Sequence, residues 1–145
     1  MRKLVSGFAL WLVLAGLGFA PTAHAAVSAN DAREVQQVVR AQLAAFAADD
    51  GERAFSFAAP ALRQMFGTSA VFMQMVRNSY PVVYRAASVT FLQPKPDDDD
   101  AILQPVIMND TTGASWLAMY RLQRQADKSW RISGCVLAPH SGRTV

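Results

Sequence analysis

Cysteine is almost missing from this chain: Cys135 stands alone, so no intramolecular disulfide can form and the fold must rest on ordinary packing. Internal repeats and long linkers are missing too, and no arrangement of residues reaches the specificity of a catalytic or metal-binding motif. An excess of one charge is also lacking. The chain carries 14 basic and 11 acidic side chains, and removal of a leader containing Arg2 and Lys3 leaves the two signs nearly equal. That balance argues against nucleic acid or an anionic membrane surface as partner.

What is present begins with a leader of secretory type. Arg2 and Lys3 precede an apolar run over residues 4–20, and Pro21 with Ala23-His24-Ala25 supplies a small-residue cleavage pattern. Cleavage is expected after Ala25, giving a periplasmic or secreted protein with no membrane attachment afterwards. The apolar run falls short of the roughly 20 residues that a spanning helix requires. A lipid anchor would need a cysteine just after that run, and Cys135 is far from it. The remaining residues, 26–145, suffice for one domain with its own core.

The first half of that domain reads as helical. Ser28 with Asp31 resembles a capping box, after which Val35, Val38, Val39, Leu43 and Phe46 recur at helical spacing. Asp49-Asp50-Gly51 ends this helix, with Gly51 expected as the left-handed cap. A short helix over residues 52–58 and another after Pro60 follow. Thr68 or Ser69 then caps a helix that places Phe72, Met75, Val76 and Tyr80 on one face. Pro81 stops it, and Val82, Val83 and Tyr84 read as the start of extended chain.

From there the pattern alternates. Strands are expected over residues 87–93, 102–108, 114–124 and 129–137, with residues 94–100 as an acidic connection. Pro105 favours an edge or a bulge in the second strand, since it donates nothing to a ladder. The third strand puts Trp116, Ala118, Tyr120 and Leu122 on one face, with Leu117 and Met119 on the other. The fourth puts Trp130, Ile132, Gly134 and Val136 opposite Arg131, Ser133, Cys135 and Leu137. Helices first and strands afterwards define an α+β protein: N-terminal helices packed on one face of a four-stranded antiparallel sheet. Leu117 and Met119 make the outer face too apolar for water alone, so part of it is expected to be covered by a second subunit, giving a homodimer through that face, or by the chain's own tail.

Candidate chemistry is thin. Cys135 and His140 would lie roughly 16 Å apart along an extended strand and on opposite faces, which argues against a thiol–imidazole pair. Met65, Met73, Met75, Met108 and Met119 raise copper(I), but Met73 and Met75 point to different sides of a helix, so core packing is the better reading. The run of residues 97–100 lacks the alternating acids, glycine and closing glutamate of a calcium loop and reads as a solvated hairpin loop. An isomerase-type acid/base site would draw on Asp50, Tyr80, Tyr84, Tyr120, Arg77 and Arg131, yet no Asp or Glu falls at an inward central strand position. No catalytic residue, metal or cofactor is therefore assigned. A wall of aromatics remains. Arg77, Tyr80, Tyr84, Trp116, Tyr120 and Trp130, with Phe72 and Met75, are the candidate lining of a site for a small apolar or amphipathic ligand.

The segments Leu43-Ala44-Ala45-Phe46, Ala54-Phe55-Ser56-Phe57-Ala58-Ala59-Pro60, Met75-Val76-Arg77-Asn78-Ser79-Tyr80-Pro81-Val82-Val83-Tyr84 and Trp130-Arg131-Ile132-Ser133-Gly134-Cys135 resemble the bacterial domain of unknown function 4864. The resemblance spans nearly the whole of residues 26–145. It implies the cone-shaped fold of nuclear-transport-factor-two-like (cystatin-like) proteins, in which a curved sheet wraps against helices and often encloses a pocket. It implies no activity. Relatives of that broad fold include isomerase- and dehydratase-like enzymes as well as binding and dimerisation modules, so a ligand-binding or interaction module is expected, with an isomerase or lyase and a structural assembly partner as alternatives.

Overall fold

Ser28 caps the first helix, α1 (Ala29–Ala47): its hydroxyl accepts from the Asp31 amide at 3.0 Å and donates to the Asp31 carboxylate at 2.9 Å. The computed structural model describes residues 26–142, and the leader read in residues 1–25 lies outside them. α1 buries Val35, Val39, Ala45 and Phe46 together with one polar residue, Gln42. α2 (Gly51–Ser56), α3 (Pro60–Phe66), α4 (Ser69–Ser79) and α5 (Pro81–Tyr84) follow in quick succession. Thr68 caps α4 by accepting from the Val71 amide, and Gly67 separates α3 from α4 with φ of 77°.

Two helix-boundary expectations need correction. The left-handed residue after α1 is Asp49, with φ of 53°, and Gly51 instead opens α2. A Cβ on Gly51 would stand 2.8 Å from Cγ of buried Met73, so the glycine is needed for close approach of α2 to α4. Val82, Val83 and Tyr84 form α5 rather than extended chain. Pro81 ends α4 but is itself well placed in a first helical turn, and burial of Val82 and Val83 outweighs their strand preference.

Among the described residues the sheet has five strands, not four: β1 (Ser88–Phe91), β2 (Lys95–Asp98), β3 (Ala101–Asn109), β4 (Ser115–Arg124) and β5 (Trp130–Pro139), all antiparallel, in the order β1-β3-β4-β5 with β2 also on β3. β1 pairs with residues 106–109 of β3 and β2 with residues 101–103, so the two share one edge of β3 with a break between them. Residues 94–100 are thus not merely a solvated connection. Asp97 and Asp98 reach across to Arg121, at 2.6 Å to Nε and 3.0 Å to Nη2.

Pro105 lies in interior β3, opposite Met119, and not at an edge or bulge. Its carbonyl accepts from the Leu92 amide at 3.0 Å, on the side where β1 has ended and β2 has not begun. The ring nitrogen faces the same side, and the Leu92 carbonyl that it leaves without a backbone donor accepts from Gln104 Nε2 at 2.8 Å instead.

A further correction concerns β5. The ladder to β4 pairs Arg121 with Gly134 and Leu122 with Ile132, leaving Ser133 as an extra residue. Past this bulge the strand changes face. Trp130 and Ile132 point to the core, but so does Cys135, while Val136 is turned outward and is 69 % exposed. The core therefore lies between α1, α4, α5 and the inner face of the sheet, where Val106, Met108, Ala118, Tyr120 and Leu122 are buried.

Candidate functional site

The helices do not fill the space above Tyr120 and Cys135. A cavity of about 210 Å³ remains between α1, α3, α4 and the β4–β5 ladder. Phe46 from α1, Leu62, Met65 and Phe66 from α3, and Phe72, Met75 and Val76 from α4 make its apolar walls. Phe72 holds one wall together, with ring centroids 5.9 Å from Phe46, 5.3 Å from Phe55 and 5.5 Å from Phe66. Met65, 67 % exposed, marks the mouth. None of the lining residues is Asp, Glu, Lys, Arg or His.

Polar groups in this lining are few and specific. Gln42 is buried and donates through Nε2 to the Ala54 carbonyl at 3.1 Å. Tyr80 donates weakly, at 3.5 Å, to the Cys135 carbonyl. Tyr120, 1 % exposed, has a hydroxyl with no hydrogen-bond partner among the described residues. It faces Cys135 across the ladder, and the thiol and the hydroxyl are near enough to act on each other's titration. Burial pushes the Cys135 thiol up to about 12 and the Tyr120 phenol well above its ordinary value, so both stay protonated at neutral pH.

A second, open concavity of about 730 Å³ lies beyond Tyr80, which borders both spaces. Tyr84, Arg85, Asp110, Trp116 and Leu137 are among its walls. Asp110 accepts from the Thr112 hydroxyl at 2.6 Å, the Thr112 amide at 2.9 Å, the Ala114 amide at 3.0 Å and Trp116 Nε1 at 3.3 Å. These bonds, that from the Thr112 hydroxyl foremost, hold its carboxyl below the usual range. At one end Asp49 accepts from the Tyr84 hydroxyl and from Arg85 at 2.9 Å, with Arg77 at 3.6 Å. Arg85 also donates to the Phe46 carbonyl at 2.8 Å and so latches α5 to the end of α1.

The residues anticipated as one site are divided among three places. Tyr120 and Tyr80 line the inner cavity, with Phe72 and Met75. Tyr84 and Trp116 line the outer concavity, again with Tyr80. Arg77 is taken up with Asp49 and the Tyr84 ring. Trp130 is at the far end of the sheet under Arg124, which pairs with Asp31 at 2.5 Å. Gln42 and Cys135 were missed as lining residues. Gln42 had a signal, a polar side chain inside an apolar helical face, whereas Cys135 becomes a lining residue only because of the bulge.

An antiparallel sheet with helices banked on one face and an uncharged cavity between them defines the class of the molecule as an α+β protein with an internal apolar cavity. The chain belongs to the family described as a domain of unknown function (DUF4864), which it matches over residues 28–145. Among curated proteins none matches this chain. A protein from Catenulispora acidiphila, with a structure at 2.5 Å, is similar at 18 % identity and a TM-score of 0.46, over 74 % of this chain and 89 % of that one.

Proposed function

We propose that this is an exported binding module that holds a small, predominantly apolar molecule between α4 and the β4–β5 ladder. The observation that carries the reading is the cavity itself, about 210 Å³ with apolar walls and no charged side chain. Dry cavities of about 150 Å³ take up benzene, so a one- or two-ring molecule of about 100–200 Da is the right scale. An isomerase or lyase would need an ionisable acid or base facing the reacting carbon. The lining holds no carboxylate, lysine or histidine, and burial keeps the Tyr120 phenol and the Cys135 thiol protonated at neutral pH, which favours binding over catalysis.

The leader over residues 1–25 supports export, and the helices banked on a bulged sheet support the cone-shaped nuclear-transport-factor-two-like fold as the finer architecture. A second copy of the chain is the proposed occupant of the outer sheet face. Ile107 beside Leu117, and Met119 beside Val136 in register, form an apolar strip that two-fold symmetry would match to itself. Native mass spectrometry of the protein recovered from its own compartment tests these points together. The expected species is a dimer of chains beginning at Ala26, each retaining a non-covalent molecule of about 100–200 Da. A monomer that retains its leader and carries no ligand contradicts the proposal.

A further inference from the structure

We infer that the molecule held in the cavity is neutral and carries a hydrogen-bond acceptor, such as a ketone or ether oxygen, that takes the proton of the Tyr120 hydroxyl. This rests on the reading of the cavity as a ligand site and adds the chemistry of what fills it.

The first ground is an orphaned donor. Tyr120 is 1 % exposed and its hydroxyl has no partner, a state that buried hydroxyls seldom occupy because neither water nor protein repays the lost hydration. The polar side chain nearest in the ladder does not relieve it. Gln104 pairs with Tyr120 across β3 and β4, but its amide nitrogen is held by the Leu92 and Pro105 carbonyls, both at 2.8 Å, and its Oε1, the atom that could accept from a phenol, makes no hydrogen bond either, so the two groups do not meet. The Cys135 thiol near it is a weak acceptor and a poor substitute for an oxygen. A phenol gives a strong hydrogen bond as a donor, so its complement on a ligand is an acceptor.

The second ground is charge. Among the described residues no cationic side chain lines the cavity, and Arg77 and Arg85 are engaged with Asp49. A carboxylate or phosphate entering the cavity would lose its hydration with no counter-charge in reach, and an ammonium would meet no carboxylate. An acceptor without formal charge satisfies Tyr120 without that cost.

Ethylbenzene, acetophenone and benzoate make a matched set: similar in size, with no acceptor, a neutral acceptor and an anionic one. Their dissociation constants are measured by titration against the wild-type protein and Tyr120→Phe, with circular dichroism confirming that the variant is folded. Tyr120→Phe is expected to weaken acetophenone by about tenfold while leaving ethylbenzene within about twofold, and benzoate is expected to bind neither protein. Equal effects on the two neutral probes, or tight benzoate binding, overturn the inference while leaving the cavity reading intact. Failure of both neutral probes to bind the wild-type protein overturns the cavity reading instead. If the variant does not fold, the wild-type protein decides through the infrared carbonyl stretch of bound acetophenone. A shift to lower frequency than in an alkane solvent supports the Tyr120 bond, and an unshifted band contradicts it.

Discussion

Cys135 is shielded by burial, which pushes its thiol up to about 12 and leaves almost no thiolate at neutral pH. Alkylation of the folded protein by iodoacetamide at pH 8 should therefore run roughly a thousandfold slower than alkylation of the urea-unfolded chain. A comparable rate in the two states would place the thiol in solvent. The same shift links folding to pH: the thiol contributes stability in full below about pH 8.5, the unfolded value, and loses it as pH rises toward 12. Asp110 has the opposite sign. Its carboxyl is held down chiefly by the Thr112 hydroxyl, so its contribution is complete above about pH 4 and is lost as pH falls through the lower folded value. Asp110→Ala is expected to lower the urea midpoint at pH 7, to move Trp116 fluorescence, and to differ less from wild type at pH 3. An unchanged midpoint at pH 7 would show that the four bonds to Asp110 contribute nothing.

Helix faces were legible because one period governs them: Val35, Val39 and Phe46 in α1, and Phe72 and Val76 in α4, are buried as their spacing requires. Strand faces were legible only up to an irregularity. A single extra residue at Ser133 reverses the parity of β5, which carries Val136 outward and Cys135 inward, and no residue type announces that bulge. Pro105 misled for a related reason, since its tolerance depends on the Gln104 side chain reaching the Leu92 carbonyl, a contact set by the register of the neighbouring strand. Val82 and Val83 misled because local preference yields to burial. Contacts between elements set the other limits. Gly51→Ala should destabilise the protein by about 1–2 kcal/mol despite the helix preference of alanine, because its Cβ would press on Met73 Cγ. A stabilised variant in urea denaturation would mean that Met73 moves aside freely. Phe72→Ala removes the ring that joins Phe46, Phe55 and Phe66 and should cost about 3–5 kcal/mol by the same measurement.

At the scale of the whole molecule, the candidate site was legible in kind and not in place. Aromatics enough for an apolar wall were visible in the sequence, but Tyr84, Trp116 and Trp130 are drawn away from Tyr120 by the turn at Asp110, the latch at Asp49 and the Arg124–Asp31 pair. The helices bank against the sheet with a gap, and that gap depends on α3, a short helix with no buried residue that still supplies Leu62, Met65 and Phe66 to the cavity wall. The most direct measurement is a crystal structure of the protein equilibrated with acetophenone. Density for the ring between Phe72 and Tyr120, with the ketone oxygen about 2.7 Å from the Tyr120 hydroxyl, is the result expected. Density only beside Trp116 in the outer concavity, with the inner space closed by Phe66 and Met75, would contradict the reading of the inner cavity as the site.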